Sequence, residues 1–158
     1  MNRFEQPRKK RVLFVCVGNA CRSQMAEGFA RAYGSDVIVP ASAGLSPAFV
    51  VAPDTLKAML VKNVDLHDHF PKHLQHMARL QFDLVVNMSG HLLPELPGTH
   101  IIEWEVPDPI SMSYDEHCEV RDEIERLVMK LVIDIRQEQL PKFRGQGSGH
   151  VELPGEKS

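Results

Sequence analysis

The stretch RVLFVCVGNACRSQMAEGF, residues 11–29, changes character twice. Val12 to Val17 is an unbroken apolar run rich in β-branched residues, the pattern of a strand buried on both faces of a parallel sheet. Residues 17–21, VGNAC, are mostly small, and Gly18 and Asn19 tolerate left-handed or otherwise unusual dihedrals. From Arg22 to Tyr33 the apolar residues Met25, Phe29, Ala32 and Tyr33 fall on one helical face, and Gly34 reads as a C-terminal stop. Strand, tight loop and helix make the opening unit of an open α/β sheet, whose ligands bind beyond the carboxyl ends of the strands. Cys16 stands at that end.

The alternation continues along the chain. DVIVPASAG (36–44), FDLVVNM (82–88) and THIIEW (99–104) read as strands; Asp54 to Asn63 and PKHLQHMARL (71–80), with Pro71 in its first turn, read as helices. A final helix from Tyr114 to Gln139 carries Val120, Ile124, Leu127, Val128, Leu131 and Ile135 on one stripe. Strands alternating with helices predict an α/β domain with a parallel sheet covered on both faces. The predicted domain spans residues 11–140, and residues 1–10 and the Gly- and Pro-rich segment 141–158 read as flexible tails.

The 158 residues, 43% of them hydrophobic, suffice for one domain with one core. A net charge of −3 gives no electrostatic pull toward nucleic acid or an anionic membrane, and neither is expected as a partner. The apolar run at Val12 to Val17 is too short for a signal-peptide core, and no segment reaches the roughly 20 apolar residues that span a bilayer. Three cysteines, Cys16, Cys21 and Cys118, are too few for a disulfide framework. A soluble, cytoplasmic protein in a reducing compartment is the expectation.

Small residues at Val17, Gly18, Asn19, Ala20 and Cys21 let successive N–H groups turn inward as an anion-binding nest. The helix that starts near Arg22 adds its own unpaired N–H groups and the positive end of its dipole. Arg22, six positions after Cys16, is able to close this phosphate-sized cup with two parallel hydrogen bonds. The same field favours the thiolate of Cys16 over its thiol, which makes it a nucleophile. Ser23 has two readings, a donor to that thiolate and a helix N-cap. Cys16 and Cys21, five apart on one loop, form a candidate redox pair, the other reading of Cys21 being a small packing residue. A zinc site there lacks a second ligand pair, and no metal or other cofactor is expected. His67, His69, His73 and His76 read as solvated or capping histidines rather than ligands.

CVGNACRS followed by QMAEG, with SAG (42–44), DLVV (83–86), VPDP (106–109) and VRDEI (120–124), resembles the low-molecular-weight protein tyrosine phosphatases and the related thioredoxin-coupled arsenate reductases. The likeness covers residues 11–136 and implies a three-layer sandwich built on a four-stranded parallel sheet. It also implies that Asp108, between Pro107 and Pro109 just after the last strand, is a general acid; from the residues alone, Asp-Pro equally starts a turn. The expected activity is hydrolysis of phosphomonoesters, protein phosphotyrosine first among them, through a phosphocysteine on Cys16. Arg22 and the loop from Val17 to Ser23 would hold the phosphate oxygens while Asp108 protonates the leaving group. The expected partner is a phosphorylated protein or small phosphomonoester, with binding of phosphate-like oxyanions in general.

Two alternatives accompany this expectation. Gln24 stands where the phosphatases usually carry proline and is closer to the reductases, so arsenate reduction is the first. The thioredoxin-coupled enzymes place relay thiols after the third strand, where this chain has Ser89, and Cys118 points away from the core stripe of its helix. Such a reductase would use an external thiol. Ile110 and Ser111 follow Asp-Pro in place of the phosphatases' aromatic residues, and Ala20 copies neither the isoleucine of tyrosine phosphatases nor the threonine of arginine-phosphate relatives. Phe49, Trp104 and Tyr114 are the candidates for a ring-binding wall. The second alternative is an inactive phosphoprotein-binding module, against which the joint presence of Cys16, Arg22, Ser23 and Asp108 argues.

Overall fold

The structure, a computed structural model, describes residues 7–140. Four strands, β1 (Lys10–Cys16), β2 (Ile38–Gly44), β3 (Leu84–Asn87) and β4 (His100–Glu103), pair in parallel in the order β2-β1-β3-β4. The helices are α1 (Arg22–Gly34), α2 (Pro53–Val61), the single turn α3 (Leu74–Met77) and α4 (Tyr114–Glu138). This is the three-layer α/β sandwich with a four-stranded parallel sheet that the sequence led us to expect.

The apolar run becomes the central strand because only a position flanked by strands and covered on both faces buries every side chain. Val12, Leu13, Phe14 and Val15 are all fully buried. Each such burial contributes about 1.5–3 kcal/mol. Val12, Phe14 and Cys16 face a cluster that includes Met25 and Phe29 of α1, Met59 of α2 and Ile124 and Val128 of α4. Leu13 and Val15 face the thinner opposite layer, where Leu74 of α3, Phe82, Leu93 and Leu96 complete the cover. Pro40 sits in β2 without breaking the sheet because β2 is an edge strand.

Strand order reverses at β1: the chain leaves it for β2 on one side and returns to the other side for β3. A crevice therefore opens at the carboxyl end of β1, where Cys16 stands opposite Gly44.

Several boundaries differ from expectation for physical reasons. β1 begins at Lys10, inside the expected N-terminal tail, where Lys10 N donates to Val37 O at 2.8 Å and Arg8 grips Asp83 through two hydrogen bonds of 2.7 and 3.1 Å. Residues 1–6 and the expected tail 141–158 lie outside the described residues. Gly34 is the last residue of α1, as expected, and a Cβ there would lie 2.6 Å from Val132 Cγ2, so its smallness also lets α1 and α4 approach. Ala32 is exposed, off the buried face assigned to it. The helix expected over 71–80 contracts to α3, because residues before it run alongside the end of β2: Gly44 N donates to Lys72 O at 2.8 Å and His73 bridges to Gly44. His73 then caps α3 by accepting from Gln75 N. α4 starts where expected, fixed by a reciprocal capping box between Ser113 and Glu116. Among the described residues no helix is long and apolar enough to cross a membrane.

Candidate active site

Between Cys16 and Arg22 the backbone sorts its polar groups into two sides. The carbonyls of Cys16, Val17, Gly18 and Ala20 accept from the N–H groups of Leu45, Ser46, Ala48 and Ala52 at 2.8–3.1 Å. Asn19 O accepts from Gln24 Nε2 at 3.1 Å, and Cys21 O from Met25 N at 2.9 Å. The amides of Gly18, Asn19, Ala20 and Cys21 have no backbone acceptor among the described residues. Their carbonyls engaged elsewhere, these amides are left with free N–H groups, as an anion nest requires. The left-handed residue that reverses the chain is Asn19, at φ 49°, rather than Gly18. Its side chain is pinned at both ends, Oδ1 accepting from Lys72 N at 2.9 Å and Nδ2 donating to Ser23 Oγ at 2.7 Å.

Cys16, Val17, Gly18, Ala20, Cys21, Arg22, Ala48, Asp108 and Ile110 line a hollow of about 140 Å³. Ser23 is the second residue of α1 and its Oγ lies 2.8 Å from Cys16 Sγ. The N-cap is Cys21, with no side-chain cap, so Ser23 is not the N-cap. Since Asn19 already donates to the Ser23 oxygen, the hydroxyl proton is free to point at the sulfur.

Arg22 is buried, and Nη1 donates to Met88 O at 2.6 Å and Val106 O at 3.0 Å, anchoring the guanidinium to the ends of β3 and β4. Nη2 lies 3.5 Å from Asp108 Oδ2, while Nε has no partner. A buried guanidinium donor left unpaired implies a ligand that pairs it, and the Nε and Nη2 edge is the fork that matches an oxyanion. Asp108 closes a turn and also faces the hollow. Oδ1 accepts from Ile110 N at 3.1 Å and closes a turn, whereas Oδ2 faces Arg22 from a side chain 46% exposed.

Gly44 escaped the sequence reading. A Cβ there would stand 2.7 Å from Val17 O and 2.9 Å from Asn19 N, backbone atoms that cannot swing aside. Gly44→Ala is expected to cost about 1–3 kcal/mol of stability and to weaken phosphate binding by distorting the nest. Urea denaturation and phosphate titration check the two effects separately.

The profile of the family described as low molecular weight phosphotyrosine protein phosphatase matches residues 11–141. The chain belongs to this family. Among relatives of this phosphatase family, an arsenate reductase of Bacillus cereus (strain Q1) is 36% identical over 120 residues, which is 73% of this chain and 89% of that protein. A solved arsenate reductase in the phosphate binding state superposes with a TM-score of 0.72 at 29% identity, covering 80% of this chain and 98% of that one. The tyrosine phosphatase amsI of Erwinia amylovora superposes with a TM-score of 0.70 at 25% identity, covering 83% of this chain and 96% of that one.

Trp104 packs on Phe14 with ring centroids 6.0 Å apart and belongs to the core, and the Tyr114 ring is covered by Lys57 Nζ at 4.2 Å. Phe49 is fully exposed beside Ala48 of the lining. Ser89 is buried and donates to Asn87 Oδ1 at 2.7 Å, a structural tie after β3. Cys118 lies on α4 one turn after Tyr114 and does not line the hollow. Gln24 is fully buried: Nε2 bonds Asn19 O and Phe70 O, and Oε1 accepts from His69 Nδ1 at 2.8 Å. Burial lowers the pKa of His69, which supports a neutral ring there. His67 pairs with Asp65, and among the described residues no three His, Cys, Asp or Glu side chains converge on a point.

A second buried pair was not foreseen. Thr55 Oγ1 and His117 Nε2 lie 2.9 Å apart between α2 and α4. The signal in the sequence was slight: His117 falls three positions before Val120, on the apolar stripe of α4.

Proposed function

We propose that the protein reduces arsenate at Cys16, with an external thiol as the final electron donor. The observation that carries this reading is the lining of the cup. Its mouth is formed by Ala48, Asp108 and Ile110, without an aromatic side chain to hold a phenyl ester, so it suits a bare tetrahedral oxyanion. The arsenate reductases among the relatives support the same choice.

In the first step the Cys16 thiolate attacks arsenic, an oxygen leaves as water with a proton from Asp108, and a sulfur–arsenic(V) bond forms. The nest amides and the Nε and Nη2 edge of Arg22 hold the remaining oxygens. In the second, a thiol attacks Cys16 Sγ: a disulfide forms, the sulfur–arsenic bond breaks, and arsenic keeps the electron pair as arsenite. Neither Ser89 nor Cys118 takes part, since one has no sulfur and the other lies off the hollow. A reducing cytoplasm supplies the thiol that regenerates Cys16.

Phosphomonoester hydrolysis is the second reading, favoured by the Asp108 carboxyl 3.5 Å from Arg22 at the mouth, where it would protonate a leaving alkoxide and later activate water. Phe49 would then have to serve as the ring wall for phosphotyrosine. One comparison separates the two: arsenate-dependent oxidation of glutathione against phosphate release from p-nitrophenyl phosphate and a phosphotyrosyl peptide. The reductase reading expects arsenite as product and little peptide hydrolysis. Efficient peptide hydrolysis with no arsenite would replace it with the phosphatase reading.

A further inference from the structure

A peptide group is flat and trans, so its C=O and N–H point in opposite directions, and whatever holds the carbonyl aims the amide. In the loop after β1, Val17 O is held by Ser46 N, Gly18 O by Ala48 N and Ala20 O by Ala52 N. These bonds aim the N–H groups of Gly18, Asn19 and Cys21. Asn19 O has no backbone donor among the described residues. Its donor is a side chain, Gln24 Nε2 at 3.1 Å. The amide aimed by that bond belongs to Ala20, a residue lining the hollow.

Gln24 is itself held from the far side. It is fully buried, and Nε2 lies 3.1 Å from Asn19 O and 3.2 Å from Phe70 O, two carbonyls that only accept. They dictate which way the side-chain amide faces, and Oε1 is left to accept from His69 Nδ1 at 2.8 Å. The other nitrogen of His69, Nε2, lies 3.4 Å from Arg31 Nη1. None of Gln24, His69, Phe70 and Arg31 lines the hollow. The Asn19 carbonyl is therefore drawn away from the hollow and the Ala20 N–H is turned towards it.

We propose that Gln24 is a positioning residue of the oxyanion seat, presenting the Ala20 N–H to the bound anion by holding the Asn19 carbonyl out of the hollow. This rests on the reductase reading only in placing the oxyanion there, and holds equally for a bound phosphomonoester. Asn19 is the left-handed residue of the loop, at φ 49°, and its side chain is tied to Lys72 N and Ser23 Oγ. Those ties fix the residue but not the peptide that follows it. Rotation of the Asn19–Ala20 peptide would exchange a donor in the seat for a carbonyl oxygen, whose partial negative charge repels arsenate and phosphate alike. For the neighbouring peptides the same rotation breaks a bond between two backbone segments. Here it needs only the release of one side chain.

The test uses inorganic phosphate as the probe and follows the loop amides one by one by NMR of isotope-labelled protein. In the wild type, phosphate should shift the resonances of the Gly18, Ala20 and Cys21 amides together. Gln24→Glu keeps the volume and the bond from His69 and exchanges only the donor facing Asn19 O for an acceptor; Gln24→Met removes both ends. In each variant the Ala20 amide should stop responding while Gly18 and Cys21 still shift. Phosphate should bind about 10- to 100-fold more weakly, the worth of one hydrogen bond to a charged group. An Ala20 amide that is silent in the wild type, or that responds as before in either variant, overturns the role of Gln24 and leaves the seat in place. A loss spread evenly over Gly18, Ala20 and Cys21 marks a packing role and also overturns it. If no loop amide of the wild type responds, the seat itself falls. Arsenite production, measured separately, decides the reductase reading.

Discussion

Cys16→Ser is expected to remain folded, to bind phosphate, and to lose turnover by at least about 10⁴-fold in both arsenate reduction and phosphomonoester hydrolysis. The swap is nearly isosteric at a site 2% exposed, and the new hydroxyl keeps a partner in Ser23, so stability should shift by less than about 1 kcal/mol. Activity fails for a different reason. A serine hydroxyl is not ionised near neutral pH without a strong base, and oxygen cannot enter the disulfide that carries the electrons away. Phosphate titration, denaturation and the two activity assays on one preparation check all three parts. Residual reduction at a tenth of the wild-type rate would remove Cys16 from the chemistry.

Arg22→Lys carries the second large effect and should damage stability and turnover together. Nη1 holds the Met88 and Val106 carbonyls on one side, and the opposite edge is free for an oxyanion. An ammonium offers a point charge, so it cannot serve a carbonyl pair and a planar fork of oxygens at once. A stability loss of about 2–4 kcal/mol is expected from the buried carbonyls left unpaired. A fall of about 10²–10³-fold in kcat/KM is expected from the lost anion contacts. Denaturation curves give the first quantity. Kinetics at a temperature where the variant is fully folded give the second, and a variant with normal kcat/KM would place the anion elsewhere.

The fold was legible because its signals are local. The run from Val12 to Val15 has no polar residue to fit any other position than the central strand, and Ser113 with Glu116 writes the start of α4 into the sequence. The cup was legible for the same reason, since Cys16, Arg22 and the small residues between them are neighbours in the chain. What failed to show were long-range demands. Gly34 ends α1 as its sequence suggests, but its second role, the close approach of Val132 from a distant helix, does not show in the chain. Residues 71–73 look helical until Gly44 claims them as a bridge partner. Thr55 and His117 carry no motif at all, Gly44 is only the end of a short SAG match, and their roles exist only once strand, loop and helix ends meet. Ser23 is intermediate: its two readings are visible in the chain, and the helix start decides between them, since Cys21 takes the N-cap and Ser23 Oγ lies 2.8 Å from Cys16 Sγ.

The outward clamping of the loop carbonyls by residues 45–52 has one more consequence. A receptor whose donors are fixed before the guest arrives spends nothing on rearrangement, but it also cannot tighten around one guest and relax for another. Phosphate and arsenate share charge and tetrahedral shape, so on the proposed reading such a rigid seat would admit both, and abundant phosphate would act as a standing competitor. On the proposed reading, discrimination would then come after docking, from one property that separates the two elements at this sulfur: arsenic(V) can be reduced by two electrons when a second thiol takes the sulfur, and phosphorus(V) cannot.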